Sequence, residues 1–185
     1  MQHRSERQNL KGIRKGRLEA YEAVISQNYA SIYRFVLYLT GDSTLAEELT
    51  QETFASAWAG IDRFKGKASF GTWLHQIAYR KFIDSKRRIH RNNAFMAKLR
   101  QETCDTSETF DPFHRLTADE HTRLLYEAIY KLDSSERAAI VLHYIQGLSF
   151  REMAEVLDKP AGTVKWYTSR ALKLLKAHLN GRVGP

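Results

Sequence analysis

Apolar residues recur along this chain at the spacing of a helix. Tyr29, Ile32, Tyr33 and Val36 fall at i, i+3, i+4 and i+7, and Phe70, Trp73, Leu74 and Ile77 repeat the pattern. Such a stripe lets a helix bury one face while the opposite face stays wet. No sustained alternation with a period of two occurs, so strands are not expected. Proline agrees with this. Only Pro112, Pro160 and Pro185 are present, which leaves the first 111 residues free to form long helices. The pattern predicts an all-α protein.

Two helical stretches are separated by one of different character. From about Asn92 to Ala118 the chain carries Thr103-Cys104-Asp105-Thr106-Ser107-Glu108-Thr109 and then Asp111-Pro112. Short polar side chains compete for backbone hydrogen bonds, and the proline breaks a helix. The expected organisation is a helical domain over residues 17–91, a flexible linker over 92–118 and a smaller helical domain over 119–182. No internal repeat is visible.

The sharpest local signal lies in the second domain, between Gly147 and Lys165. Ser149 followed by Glu152 is a capping box, in which each side chain satisfies a backbone N–H at a helix start. Phe150, Met153, Ala154 and Leu157 then form one buried face. Asp158-Lys159-Pro160 ends that helix, and Pro160 suits the first turn of the next. In this second helix Val164, Thr168, Ala171 and Leu175 point inward, which leaves Lys165, Trp166, Tyr167, Ser169, Arg170 and Lys173 facing out. Two short helices with a tight turn, the second basic and exposed, match a helix-turn-helix whose second helix enters a DNA major groove. An ordinary helical hairpin with a solvated basic face is the plainer alternative. It leaves the outward Trp166 and Tyr167 unexplained.

The net charge is +8 over 185 residues, and its placement says more than its sum. Residues 1–34 carry +4, 35–62 carry −5, 63–100 carry +10, 101–136 carry −6 and 137–185 carry +5. Two basic blocks separated by an acidic stretch predict two contacts with a polyanion. The basic N-terminal block has no assigned role.

Three features of the first domain bear on those contacts. In the acidic block, Glu48, Gln51 and Glu52 share one helix face, which serves either a protein partner or plain solvation. In the +10 block, the run from Arg63 through Phe64, Lys65, Gly66, Lys67, Ala68, Ser69, Phe70, Gly71 and Thr72 to Trp73 interleaves rings with bases. That composition suits single-stranded nucleic acid, with bases stacked on rings and cations along the phosphates. Phe70 and Trp73 also lie on the apolar stripe, so Phe64 in the loop is the better stacking candidate. Farther on, Arg80, Asp84, Arg87 and Arg91 follow helix spacing with Lys81 and Arg88 flanking them, a surface that can track phosphates. Asp84 is placed to pair with Arg80 or Arg88.

Several classes are disfavoured. Gly66 to Thr72 lacks the lysine and the preceding strand of a phosphate-binding loop, so ATP binding is not expected. The single cysteine, Cys104, cannot form an internal disulfide, and no apolar run follows the basic N-terminus as in a secretory signal. The longest apolar runs, Phe35–Leu39 and Ala138–Leu142, are five residues long, against ~20 for a membrane span. A soluble, cytoplasmic protein is expected. Its seven histidines have no metal-ligand spacing, and His75 and His143 read as helix-packing residues. No catalytic set is visible, so neither a metal, a cofactor nor enzymatic activity is expected. A nuclease would need clustered acids, and block 63–100 holds only Asp84.

On these residues the chain resembles a small two-domain RNA polymerase sigma factor of the sigma-70 family, in its extracytoplasmic-function (ECF) group. The resemblance runs over about residues 20–180. It rests on Ala46-Glu47-Glu48-Leu49-Thr50-Gln51-Glu52-Thr53-Phe54, on Phe70-Gly71-Thr72-Trp73-Leu74-His75-Gln76-Ile77-Ala78, and on Asp84. In the second domain it rests on Leu132, Arg137, Gly147-Leu148-Ser149, Glu152, Ala154, Leu157, Pro160 and Gly162-Thr163-Val164-Lys165. The resemblance implies a transcription initiation factor built of regions 2 and 4. It implies that Glu48, Gln51 and Glu52 dock on core RNA polymerase at the β′ clamp helices, with the β subunit as a second contact. It implies that Arg63, Phe64, Lys67, Trp73, Arg80, Lys81, Arg87 and Arg88 bind melted −10 promoter DNA. For duplex −35 DNA it points to Thr163, Lys165, Trp166, Tyr167, Ser169, Arg170 and Lys173. The linker resembles the segment threaded toward the RNA exit path. An anti-sigma factor, often at the membrane, is the family's usual further partner, so the protein is expected at the nucleoid or held near the membrane.

The chain departs from the family pattern in three places. Arg80 stands where many relatives have Asn, Trp166-Tyr167-Thr168 replaces the common Ser-Arg-Leu, and Asp133 replaces a proline at a helix start. The alternative function, a stand-alone helix-turn-helix regulator of duplex DNA, leaves the acidic helix and the aromatic–basic loop without a use.

Overall fold

Glycine, aspartate and serine punctuate the chain into helices. The computed structural model describes residues 12–13, 17–66, 68–99 and 120–180. Among these it contains seven α-helices and no strand. Helix α1 (Leu18–Thr40) ends at Gly41, whose φ of 66° suits a residue without Cβ and whose N–H donates to Leu37 O. Asp42 then caps α2 (Ser43–Ala59), accepting from the N–H groups of Thr44 and Leu45. A 3₁₀ turn (Ile61–Arg63) leads to the loop before α3 (Phe70–Leu99). Ser69 opens α3, its Oγ accepting from Thr72 N–H at 3.0 Å. Helix α3 continues through residues 92–99, past the domain boundary expected at 91. Lys67, Cys104, Pro112 and the remainder of the expected linker lie outside the described residues.

The second domain begins with α4 (Glu120–Tyr130) and α5 (Ser134–Ile140). Asp133 caps α5 through the N–H groups of Ser135 and Glu136, so aspartate starts this helix in the place of proline. A π-helical turn (Val141–Ile145), which the sequence pattern did not predict, extends α5. Helix α6 (Phe150–Leu157) and helix α7 (Ala161–Asn180) form the helix-turn-helix. Its capping box is complete, with Ser149 and Glu152 each bonded to the other's backbone N–H. The turn between them uses Asp158 in the left-handed region, at φ 52°, a conformation aspartate tolerates better than most residues. The Pro160 carbonyl accepts the first α7 bond, from Val164 N–H at 3.1 Å.

The core of the first domain is built on Ile32, Phe35, Val36, Leu39, Leu49 and Leu74, all at most 1% exposed. That of the second domain is built on Val141, Leu142, Met153, Val156 and Val164, equally shielded. The two domains do not stand apart. Helix α6 lies along α3, and α5 touches the end of α1. Polar bonds stitch this contact. Ser31 Oγ donates to Gln146 Oε1 at 2.6 Å while Gln146 Nε2 returns to Ser31 O. Gln76 Nε2 donates to Glu155 O at 2.9 Å, and Tyr38 OH to Tyr126 OH at 2.9 Å. The carboxyl end of α1 is the most elaborate point. Tyr130 OH donates to Thr40 O, and Arg137 Nη1 to Leu39 O at 2.8 Å. The Arg137 fork also reaches Leu132 O and Tyr130 O.

Candidate nucleic-acid interface

Helix α7 presents its sequence-derived faces with one exception. Val164, Thr168, Ala171 and Leu175 are buried, as their spacing requires. Thr168 hides its hydroxyl by bonding Val164 O at 3.0 Å. Lys165, Trp166, Ser169, Arg170 and Lys173 are exposed on the other side, and Thr163 is half-buried. Tyr167 is the exception, since its ring packs half-buried against the core rather than facing out. It lies three residues after Val164 and four before Ala171, both buried, so it flanks the inward row. Trp166 is 53% exposed despite being the largest ring in the sequence alphabet. The Arg170 guanidinium lies 5.1 Å from its ring centroid, and Lys165 Nζ lies 5.7 Å from the Phe150 ring. Arg170 also forms an ion pair, its Nε 2.9 Å from Glu136 Oε1.

In the first domain the rings and bases sort differently from expectation. Phe64, the expected exposed stacking ring, is only 6% exposed. It packs edge-on to Phe70, with centroids 5.4 Å apart, and against Trp73 at 5.2 Å. The backbone folds back after the 3₁₀ turn, so a loop residue becomes a core residue. Trp73 is half-buried and is the more open ring of the three. Arg63, Phe64, Lys65 and Trp73 line a groove of about 500 Å³. Gln76 also lines it, and Glu155 and Asp158 bring the helix-turn-helix to the same groove. The groove thus sets basic residues of the first domain together with acidic residues of the second.

The long basic helix α3 splits its charges between two faces. Arg80, Asp84 and Arg87 line a groove of about 470 Å³ beside Asp158 and Lys159. Arg91 is exposed. Asp84 pairs with Arg87 at 3.4 Å, not with Arg80 or Arg88 as the spacing suggested. Arg88 is drawn instead to α2, where Glu48 holds it at 3.6 Å, and Lys81 meets Glu52 at 3.1 Å. Two residues expected on DNA are therefore paired with two residues expected on a protein partner. All four side chains remain 32% or more exposed, so each pair contributes at most about 1 kcal/mol. Gln51, the third member of that acidic face, is exposed and bonds Glu47 at 3.4 Å.

Further features join the expected ones at this contact. Glu152 does more than cap a helix. Its Oε1 accepts from Thr72 Oγ1 at 3.3 Å across the domain contact. The Ser149 hydroxyl and N–H, followed by Thr72, hold its carboxyl below the ordinary carboxylate range. His75 packs as expected, edge-on to Phe35, with Nδ1 2.8 Å from Gly71 O. Burial pushes its pKa down, because a shielded ring carries a charge poorly. His143 also packs, stacked on Phe150 with Nδ1 2.9 Å from Leu148 O. The Ser31–Gln146 clasp and the reach of Arg137 join residues some 100 positions apart, and no local pattern announces such contacts. Among the described residues no group of histidine, cysteine and acidic side chains could hold a metal, and no helix is long and apolar enough to cross a membrane.

Similarity to known proteins gives the family. Residues 24–92 match the model of sigma-70 region 2, and residues 122–175 match that of sigma-70 region 4. The chain is 30% identical to the ECF RNA polymerase sigma factor SigW of Bacillus subtilis, over 94% of this chain and 96% of that protein. It is 32% identical to the ECF RNA polymerase sigma factor SigC of Mycobacterium tuberculosis, over 88% and 85% of the two chains. The fold is similar to that of the sigma factor RpoE of Bartonella quintana, solved in complex with the anti-sigma factor NepR. The TM-score is 0.72 at 22% identity, covering 88% of this chain and 98% of that one.

Proposed function

Because the chain belongs to the extracytoplasmic-function group of RNA polymerase sigma factors, we propose that its two domains divide promoter recognition between duplex and melted DNA. The exposed row Lys165, Trp166, Ser169 and Lys173 on α7 carries this reading. These residues stand on the second helix of a capped helix-turn-helix whose inner face is fully packed. That row reads the −35 element in the major groove, where cations and rings meet base edges and phosphates. The groove lined by Arg63, Phe64 and Trp73 captures the non-template strand of the −10 element, together with Arg80 in the second groove, which shares Asp158 with the first. Lys67, Lys81, Arg87 and Arg88 add phosphate contacts. Stacking and phosphate pairing compensate the few kcal/mol lost when a base leaves the duplex.

Glu48, Gln51 and Glu52 form the docking face for the β′ clamp helices of core polymerase. The contact between α6 and α3 must open before −10 DNA enters, because Glu155 and Asp158 line the same groove. An anti-sigma factor is the partner that would hold the two domains together, at the nucleoid periphery or near a membrane. No bond is made or broken in this scheme, so the chain acts as a binding factor and not as an enzyme.

The test is transcription in vitro with purified core polymerase, on promoters identified by sequencing transcripts after overexpression. The intact chain is expected to direct initiation from a −35-dependent promoter. Lys165→Ala and Lys173→Ala together should reduce it at least ten-fold while leaving core binding intact. Failure of the intact chain to bind core polymerase sinks the reading.

A further inference from the structure

Glu136 is the least expected residue of the second domain. It is 2% exposed, and a carboxylate so shielded costs several kcal/mol unless it is paired and hydrogen-bonded. Two features offset part of that cost. Glu136 lies in the first turn of α5, where the helix dipole favours an anion. Its Oε1 stands 2.9 Å from Nε of Arg170, on the outward face of α7, as an ion pair without hydrogen-bond alignment, so the attraction is one of charge. The Arg170 guanidinium then lies 5.1 Å from the Trp166 ring, and the i, i+4 spacing keeps the two side chains over one another. A buried anion, an arginine and an exposed indole thus form a chain from the domain interior to the recognition surface.

We propose that Glu136 is a positioning residue for promoter recognition: through Arg170 it fixes the Trp166 ring, which reads the C5-methyl group of a thymine in the −35 element. This rests on the assignment of α7 to the −35 duplex. The chemistry follows from the parts. Arg170 has one nitrogen committed to the interior and its face committed to the indole, so it serves Trp166 before it serves phosphate. Trp166 has no acceptor and is mostly apolar. Of the major-groove features of the base pairs, the thymine methyl is the one that an apolar ring recognises. A ring with two torsions, held on one face by a cation that is itself held by a buried anion, pays little entropy on contact.

The experiment uses the full chain bound to core polymerase and −35 duplexes in which single thymines are replaced by deoxyuridine, which lacks the methyl. The unaltered chain is expected to lose about four-fold in affinity at one position, the effect of one buried methyl group, and nothing at the others. Trp166→Ala should weaken binding and abolish that discrimination. Glu136→Gln, which keeps the shape and removes the charge, should also abolish it, and Glu136→Gln with Trp166→Ala should be no worse than Trp166→Ala alone. Because Glu136→Gln leaves Arg170 without its anion, the pair Glu136→Met with Arg170→Met provides a second variant without an unpaired charge. It should melt near the unaltered chain and likewise show no deoxyuridine effect. Deoxyuridine discrimination that survives in both Glu136 variants overturns the positioning role, and its absence in the unaltered chain overturns the thymine contact. If Lys165→Ala also leaves −35 binding unchanged, the fault lies with the −35 assignment of α7 itself.

Discussion

Replacing Arg137 with methionine removes the group that ties together the ends of two helices from different domains. The guanidinium donates to Leu39 O near the carboxyl end of α1, to Tyr130 O at the end of α4, and to Leu132 O beyond it. Its carbon also lies 4.2 Å from the Tyr130 ring centroid. The last carbonyls of a helix have no partner within it and carry the negative end of the dipole, so a buried cation is well matched to them. A hydrogen bond from a charged donor contributes ~1.5–3 kcal/mol, and losing it leaves a buried carbonyl dry. Three bonds share one guanidinium, so their losses do not add in full. A destabilisation of about 3–4 kcal/mol follows. For a chain of this length each kcal/mol lowers Tm by roughly 2–4 °C, which places the midpoint roughly 6–16 °C below that of the unaltered protein. Thermal unfolding followed by circular dichroism measures it. Arg137→Lys, a single point charge without the planar fork, should recover only part of the loss. Small-angle scattering of Arg137→Met below its transition should report a larger radius of gyration, since Leu39 and Arg137 lie on opposite sides of the domain contact. A Tm within 2 °C of the unaltered protein would refute the reasoning.

Other outcomes are as definite. Gly41→Ala places a Cβ 2.3 Å from the Tyr130 ring at a φ of 66°, so it should destabilise by more than ~2 kcal/mol through clash and strain, measurable by urea titration. The depressed carboxyl of Glu152 gives stability that is present above the unfolded-state value of ~4.3 and is lost as pH falls through the lower folded-state value. Glu152→Gln should therefore flatten the stability profile in that acidic window while changing little near neutrality beyond the lost charge-assisted bonds. Glu52→Lys should abolish capture of core polymerase in a pull-down while lowering stability by no more than about 1 kcal/mol, because its pair with Lys81 is half-buried and open to solvent screening.

Much of the local structure is written locally. The Ser149–Glu152 capping box, the inward row Val164, Thr168, Ala171 and Leu175, and the stripe through Phe70, Leu74 and Ile77 all follow from spacings of three and four residues, because helix geometry repeats on that scale. Asp133 as a helix cap belongs to the same class. What the spacing does not convey is which helix lies against which face. Phe64 looks like an exposed loop ring until the chain folds it under Trp73. Asp84 has two arginines at ideal distance, yet Arg88 is claimed by Glu48 from another helix. Arg137 gives no hint that its fork will reach a carbonyl 98 positions earlier. Each of these depends on the packing of one helix on another, where a periodic pattern carries no address.

The contact between the domains has a consequence for ionic strength. Its hydrogen bonds run between neutral groups, as in Ser31–Gln146, Gln76–Glu155 and Tyr130–Thr40, or between one charged group and a neutral one, as in Arg137–Leu39 and Thr72–Glu152. Among the described residues no ion pair joins the two domains. Dissolved ions screen charge against charge, so they have little here to weaken. Binding to DNA is the opposite case, because affinity falls about as the 0.9 power of salt for every phosphate neutralised. Rising salt thus weakens the hold on nucleic acid more steeply than it weakens these hydrogen bonds between the domains.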